Sequence, residues 1–293
     1  MTIYSSSMRS LKSRLVITMD ESRSVYLESF FEDTLPVEAP CLTPGSVLGK
    51  SEKEIASLPV LVGNRKQKVG DIFRVRRTGD DLLVVGGCLR HVKRIGQGME
   101  TGRLLIRGTP GMHLGEEMSG GELRVEGDIP DWCFCGINGG LACVSGNAGN
   151  MTAAALPGES RGMKGGVVMI AGNTGSRTGD AMRRGIIAIG GGTGDFVGSR
   201  MVAGTIIVRG RLAKRAGGGM KRGSIIALGG VDGFLPSFER ACRYRPTFVS
   251  LYMKYLAGLG FSVDESVMRG DFVRWTGDCT TLGKGEILEY EAA

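Results

Sequence analysis

Short apolar runs recur through the middle of this chain at a spacing of nineteen residues. Val167-Val-Met-Ile170, Ile186-Ile-Ala-Ile189, Ile206-Ile-Val208 and Ile225-Ile-Ala-Leu228 are rich in β-branched residues and flanked by glycine. Runs of four are too short to carry a helical period, so they are predicted as strands. Counted from Arg103, the unit restarts at Glu122, Leu141, Val167, Ile186, Thr205 and Ser224, with seven extra residues only between Leu141 and Val167. Glycine holds the sixth place of every unit, from Gly108 to Gly229, and closes the first six at Gly121, Gly140, Gly166, Gly185, Gly204 and Gly223. A weaker unit, Asp81 to Gly102, precedes them.

A short fixed period points to stacked repeats. One unit holds about two short strands and their turns, and equivalent strands of successive units would pair about 4.8 Å apart. The fold class expected is therefore all-β, a parallel β-helix solenoid of ~19-residue coils with short α/β flanking segments. Of the 49 glycines, 37 lie between Asp81 and Gly230, where tight corners would need positive φ. Met99, Met118, Met163, Met182, Met201 and Met220 stand three places before a closing glycine, with Ile137 in that place in one unit. They are expected as a core ladder of flexible thioethers, not as metal ligands.

Outside residues 81–233 the rhythm stops, leaving an N-terminal flank of residues 1–80 and a C-terminal helix and β extension of residues 234–293. Leu15–Thr18 and Ser24–Leu27 read as a hairpin. Ser51 and Glu54 form a capping-box pattern before a short helix. Val69–Val75 should lead into the first coil as a strand. Pro246–Gly258 is predicted as an amphipathic helix whose face of Phe248, Leu251, Tyr252, Tyr255 and Leu256 would cap an open end or bind a partner. Phe272–Leu288 reads as strand, loop, strand.

Composition narrows the function. No apolar run reaches eighteen residues, so no membrane span is expected. The basic, Ser-rich start is expected to be disordered, not a signal peptide. The seven cysteines include no CxxC pair, and Cys133 and Cys135 fit one strand face as small core residues. This usage suits a reducing cytoplasm. With only His91 and His113 available, neither a zinc site nor a catalytic His arrangement is expected. Gly45-Ser-Val-Leu-Gly-Lys-Ser51 has three residues between its glycines, one short of a phosphate loop.

The charge distribution is more informative than the net +7. Ten basic residues and only Asp180 and Asp195 lie between Arg177 and Arg222, a local charge of +8. Stacking would place Lys164, Arg183 and Lys221 in one column and Arg184 and Arg222 in the next. Arg183, Arg184, Lys221 and Arg222 are thus the candidate contact residues, for an acidic subunit or a polyanionic ligand; the alternative is a solvated face with counterions. Nucleic acid is disfavoured, because Phe196 alone could stack on bases.

The G-x-x-M-x-x-G coils resemble the C-terminal domain of the glutamate synthase large subunit. They are more similar to the C subunit of formylmethanofuran dehydrogenase and that of the bacterial formyltransferase/hydrolase complex. That likeness is carried by Gly49–Pro59, Gly63-Asn-Arg65, Val69-Gly-Asp-Ile-Phe73, the insertion Leu156–Gly166, Pro246-Thr-Phe248, and Trp275-Thr-Gly-Asp-Cys-Thr-Thr-Leu-Gly-Lys-Gly-Glu-Ile-Leu288. It implies a right-handed β-helix acting as a non-catalytic, cytoplasmic scaffold. Its partners would be hydrolase-like A and B subunits and a formyltransferase D subunit, in methanofuran- and tetrahydromethanopterin-linked one-carbon metabolism. Methanofuran or methylofuran would be bound in the complex. A molybdenum or tungsten centre would sit only in a partner subunit, if the complex is a dehydrogenase. The coenzyme's glutamate-rich tail would suit the basic face. The alternatives are a glutamate synthase-like regulatory domain and a stand-alone polyanion-binding solenoid.

Overall fold

The computed structural model describes residues 19–291. Its main feature is a thirteen-stranded mixed sheet. Ten strands lie side by side and parallel: Ser24–Ser29, Leu82–Gly87, Arg103–Arg107, Glu122–Glu126, Leu141–Val144, Val167–Ile170, Ile186–Ile189, Thr205–Val208, Arg222–Ala227 and Lys284–Glu291. Both edges are antiparallel. Phe73–Arg77 pairs with Ser24–Ser29, and Asp271–Gly277 followed by Glu239–Tyr244 extends the other end. A separate four-stranded sheet of Arg65–Lys68, Pro59–Val62, Val37–Glu38 and Val92–Lys93 shares the large core with it through Val37, Val60, Val62 and Val92.

This corrects the expected fold class. The all-β parallel β-helix solenoid, with about two strands per coil, is not what is found. Each repeat supplies one strand, and these strands join a single mixed sheet. The physical reason lies in the rest of the unit. Between strands the chain alternates through left-handed residues, such as Arg177, Gly179 and Ala181, which breaks the extended backbone a second ladder would need. Instead of a second ladder there are isolated bridges, Ile129 to Ala148, Ala148 to Thr174 and Leu212 to Val231, and single backbone bonds between repeats, such as Gly198 N–H to the Thr178 carbonyl at 2.9 Å and Gly217 N–H to that of Val197 at 2.8 Å. Asx side chains carry some of the pairing instead. Asp131 Oδ1 accepts from the Asn150 N–H at 2.7 Å, and Asn150 Oδ1 accepts from the Ser176 N–H at 2.8 Å.

The apolar runs read as strands do form strands, and they are buried on both faces. On one face Leu104, Leu123, Ala142, Val168, Ile187, Ile206, Ile225 and Ile287 belong to the large core. On the other, Cys143, Met169, Ala188, Ile207, Ile226 and Leu288 form a second core. This two-sided burial explains why the runs are continuous rather than alternating.

The methionine ladder is internal: Met99, Met118, Met163, Met182, Met201 and Met220 are all buried. Each Met methyl lies against the closing glycine of the next unit. A Cβ built on Gly121 would lie 2.6 Å from Met99 Cε, and one on Gly223 2.7 Å from Met201 Cε. The spacing of methionine and glycine is therefore one contact, repeated. The tail strand continues it, since Gly223 pairs with Gly285 and a Cβ on Gly285 would lie 2.6 Å from Met220 Cε.

Four helices complete the fold: α1 (Pro44–Val47), α2 (Glu52–Ala56), α3 (Thr247–Gly258) and α4 (Glu265–Arg269). Ser51 and Glu54 do form a capping box on α2. Helix α3 forms where expected but buries Val249, Met253 and Leu256, leaving Leu251 and Tyr255 exposed. It packs with Phe261, Val267 and Phe272 on the outer sheet face instead of over an open end. Val69–Val75 divides into a 3₁₀ turn, Val69–Asp71, and the antiparallel edge strand. Leu15–Thr18, one half of the expected hairpin, lies outside the described residues. Ser24–Ser29 pairs instead with Phe73–Arg77 and Leu82–Gly87. Among the described residues no helix is long and apolar enough to cross a membrane.

Candidate functional site

Arg183 and Arg184 lie one glycine before the Ile186–Ile189 strand, and Lys221 and Arg222 hold the equivalent place two repeats later, where Arg222 opens the Arg222–Ala227 strand. The intervening repeat carries Val202 and Ala203 there. Backbone bonds to the methionine ladder hold each row. Arg183 and Val202 donate to Met163 and Met182 carbonyls at 2.8 and 2.7 Å, and Lys221 donates to that of Met201 at 2.7 Å. The four predicted cations and the Val202–Ala203 floor line one open cavity of about 270 Å³, with Leu282 on its wall.

All four cationic side chains are exposed, and none forms an ion pair among the described residues. Elsewhere arginines do find acids: Arg94 with Glu116 at 2.8 Å, Arg211 with Asp232 at 2.6 Å, Arg274 with Glu286 at 2.7 Å. Charges two rungs apart, about 10 Å by strand spacing, repel by only about 0.4 kcal/mol in water. The cluster is thus tolerated unliganded, yet an anion laid across it would meet four charges at once.

Sequence reasoning missed Lys284. The tail strand sets it beside Arg222, so it extends the same row. The signal was present, because Lys284-Gly285 repeats Arg222-Gly223. Two further cavities carry no sequence signal of their own. One, of about 390 Å³, is lined by Tyr26, Glu28, Arg74, Arg76, Gly86 and Arg107 among others. The other, of about 460 Å³, borders Phe31, Cys88, Arg90 and His91.

Catalytic groupings are few. His113 Nδ1 lies 2.6 Å from Glu116 Oε2, and that buried carboxylate also receives Arg94 and Gln97. Among the described residues no three His, Cys, Asp or Glu side chains gather closely enough to hold a metal. Burial pushes the Cys135 and Cys143 thiols up to about 12 and that of Cys41 to about 11, so none is an activated nucleophile.

No family model matches the chain. A solved structure does: a chain in the X-ray crystal structure of the formyltransferase/hydrolase complex of Methylorubrum extorquens with methylofuran superimposes with a TM-score of 0.82. Identity is 33%, and the match covers 91% of this chain and 100% of that one. Two curated relatives come from Methanothermobacter. The C subunit of the tungsten-containing formylmethanofuran dehydrogenase 2 of Methanothermobacter marburgensis is 36% identical over 86 residues. The C subunit of the molybdenum-containing formylmethanofuran dehydrogenase 1 of Methanothermobacter thermautotrophicus is 39% identical over 83 residues. The chain belongs to this family of C subunits. Each curated match covers 28% of this chain, and the matched stretch spans 32% of the tungsten enzyme's subunit and 21% of the molybdenum enzyme's. The family likeness over the whole length therefore rests on the solved structure.

Proposed function

We propose that this C-subunit relative is an architectural, non-catalytic member of a complex handling one-carbon units on a furan-bearing coenzyme. Its partners would be hydrolase-like and formyltransferase subunits. The observation that carries this reading is the match to the whole of a chain from the Methylorubrum complex. The sheet supports it physically, since ten parallel strands, with a methionine–glycine contact repeated at six of their junctions, make a rigid support for other subunits. Any molybdenum or tungsten centre would belong to a partner subunit. The free thiols suit a cytoplasmic setting.

Within that complex the Arg183, Arg184, Lys221 and Arg222 cavity is assigned to an anionic contact, either the coenzyme's glutamate-rich tail or an acidic subunit surface. Its unpaired cations and apolar floor support this. Reversing all four charges to glutamate should weaken complex assembly or coenzyme binding, measured by pull-down and by titration with the coenzyme. If both measurements stay at the wild-type level, the face is only solvated.

A further inference from the structure

One turn position has a left-handed φ of 57–64° in the weaker first unit and in the six repeats that follow it: Arg94, His113, Trp132, Met151, Arg177, Phe196 and Arg215. Two residues further on, the equivalent left-handed place is glycine in five units, Gly96, Gly115, Gly179, Gly198 and Gly217. An L side chain is strained at such a φ and glycine is not. Yet the first column contains no glycine, only long or aromatic side chains. None of them is fully buried, and Arg177 and Arg215 are exposed. Core packing therefore does not account for the choice. Arg94 and His113 of this column are engaged by the buried Glu116, whereas Arg177 and Arg215 meet no buried acid.

Within the column the guanidinium groups of Arg177 and Arg215, from the units on either side, lie over the Phe196 ring at 5.5 and 5.3 Å from its centroid. Stacking fixes a guanidinium in place while leaving its in-plane N–H donors free. Those donors are not consumed locally. Arg177 forms no ion pair among the described residues, and Arg215 forms only a long one, with Asp195 at 4.0 Å, beyond hydrogen-bond reach. Two stacked guanidiniums, one without an acid and one holding Asp195 only at long range, with an aromatic between them, suit the carboxylates of a ligand. The column runs for about 29 Å at six rung spacings, of which the Arg177–Phe196–Arg215 stack takes about 10 Å. Its Trp, Met, Phe and Arg are also the residue types that dominate protein interfaces.

We propose that the Arg177–Phe196–Arg215 stack is a docking surface for an acidic segment of a partner subunit, whose carboxylates the two guanidiniums take. This rests on the reading of the chain as a member of a multi-subunit complex. The test is the double variant Arg177→Gly/Arg215→Gly, assayed two ways on the full chain. Affinity for the co-expressed partner subunits should fall about tenfold or more, as for loss of a hot-spot arginine. The isolated variant should melt no lower than wild type, since glycine relieves the left-handed strain. Unchanged association overturns the proposal. A variant that melts several degrees lower, or does not fold, also overturns it, because the stack would then hold the fold. If the wild-type chain itself captures no subunit, the complex reading fails instead, and that is read without any variant.

Discussion

Replacing Gly285 by alanine asks whether the tail strand is held by the same methyl-on-glycine contact that closes each repeat. The new Cβ would lie 2.6 Å from Met220 Cε, 2.7 Å from Met220 Cγ and 2.8 Å from the Gly277 carbonyl oxygen. Gly285 is not in the left-handed region, so the effect is steric and carries no φ penalty. Overpacking of this kind costs about 1–3 kcal/mol. At about 2–4 °C per kcal/mol for a chain near this size, the melting temperature should fall by roughly 2–12 °C. Met220→Ala alone should cost about 2–5 kcal/mol, through lost burial and a cavity. In the double variant the alanine methyl partly fills that cavity. Thermal and urea unfolding of all four proteins should therefore show the double variant about 0.5–3 kcal/mol more stable than the sum of the singles. Full relief is not expected, because Gly277 O belongs to the neighbouring antiparallel strand and cannot retreat. A neutral Gly285→Ala, or strictly additive variants, would show that the methionine–glycine spacing is not a packing contact.

Met253 on α3 is buried in the outer core, so Met253→Ala should lower stability by about 2–5 kcal/mol, whereas exposed Leu251→Ala should stay within about 0.5 kcal/mol; urea midpoints decide. Asp278 has its pKa raised by burial but lowered further by hydrogen bonds from Thr280 and Gly219, leaving it below the ordinary 3.8. Its contribution is thus present above that value and lost as pH falls through the lower folded one, so wild type and Asp278→Asn should converge in stability on acidification below 3.8. A thiol reagent at pH 8 should titrate the exposed Cys88, Cys242 and Cys279 quickly, and the buried Cys133, Cys135 and Cys143 only after denaturation.

Much of the fold is legible from residue order alone. The strands, the core methionines, the capping box of Ser51 and Glu54, and the strand–loop–strand tail all follow from local pattern and spacing. The basic residues also meet at one cavity, because a fixed repeat turns sequence offset into position. What fails depends on backbone dihedrals or distant pairing. The turn between strands is set by left-handed residues such as Trp132, Met151 and Phe196, which no apolar pattern announces, so the pattern predicts a second strand per coil where only bridges and single backbone bonds form. Ser24–Ser29 finds its partners some fifty residues away. On α3 the aromatic residues draw the expected face toward Tyr255, but Met253 and Val249 fit the outer sheet face and the bulky rings stay at its rim.

Membership of an assembly is tested most directly by purifying the native chain and identifying what comes with it. Hydrolase-like and formyltransferase subunits should co-elute in fixed stoichiometry, and Arg177→Gly/Arg215→Gly should loosen them without lowering the melting temperature of the chain. A chain that elutes alone as a monomer, from cells in which those subunits assemble without it, would contradict the architectural role.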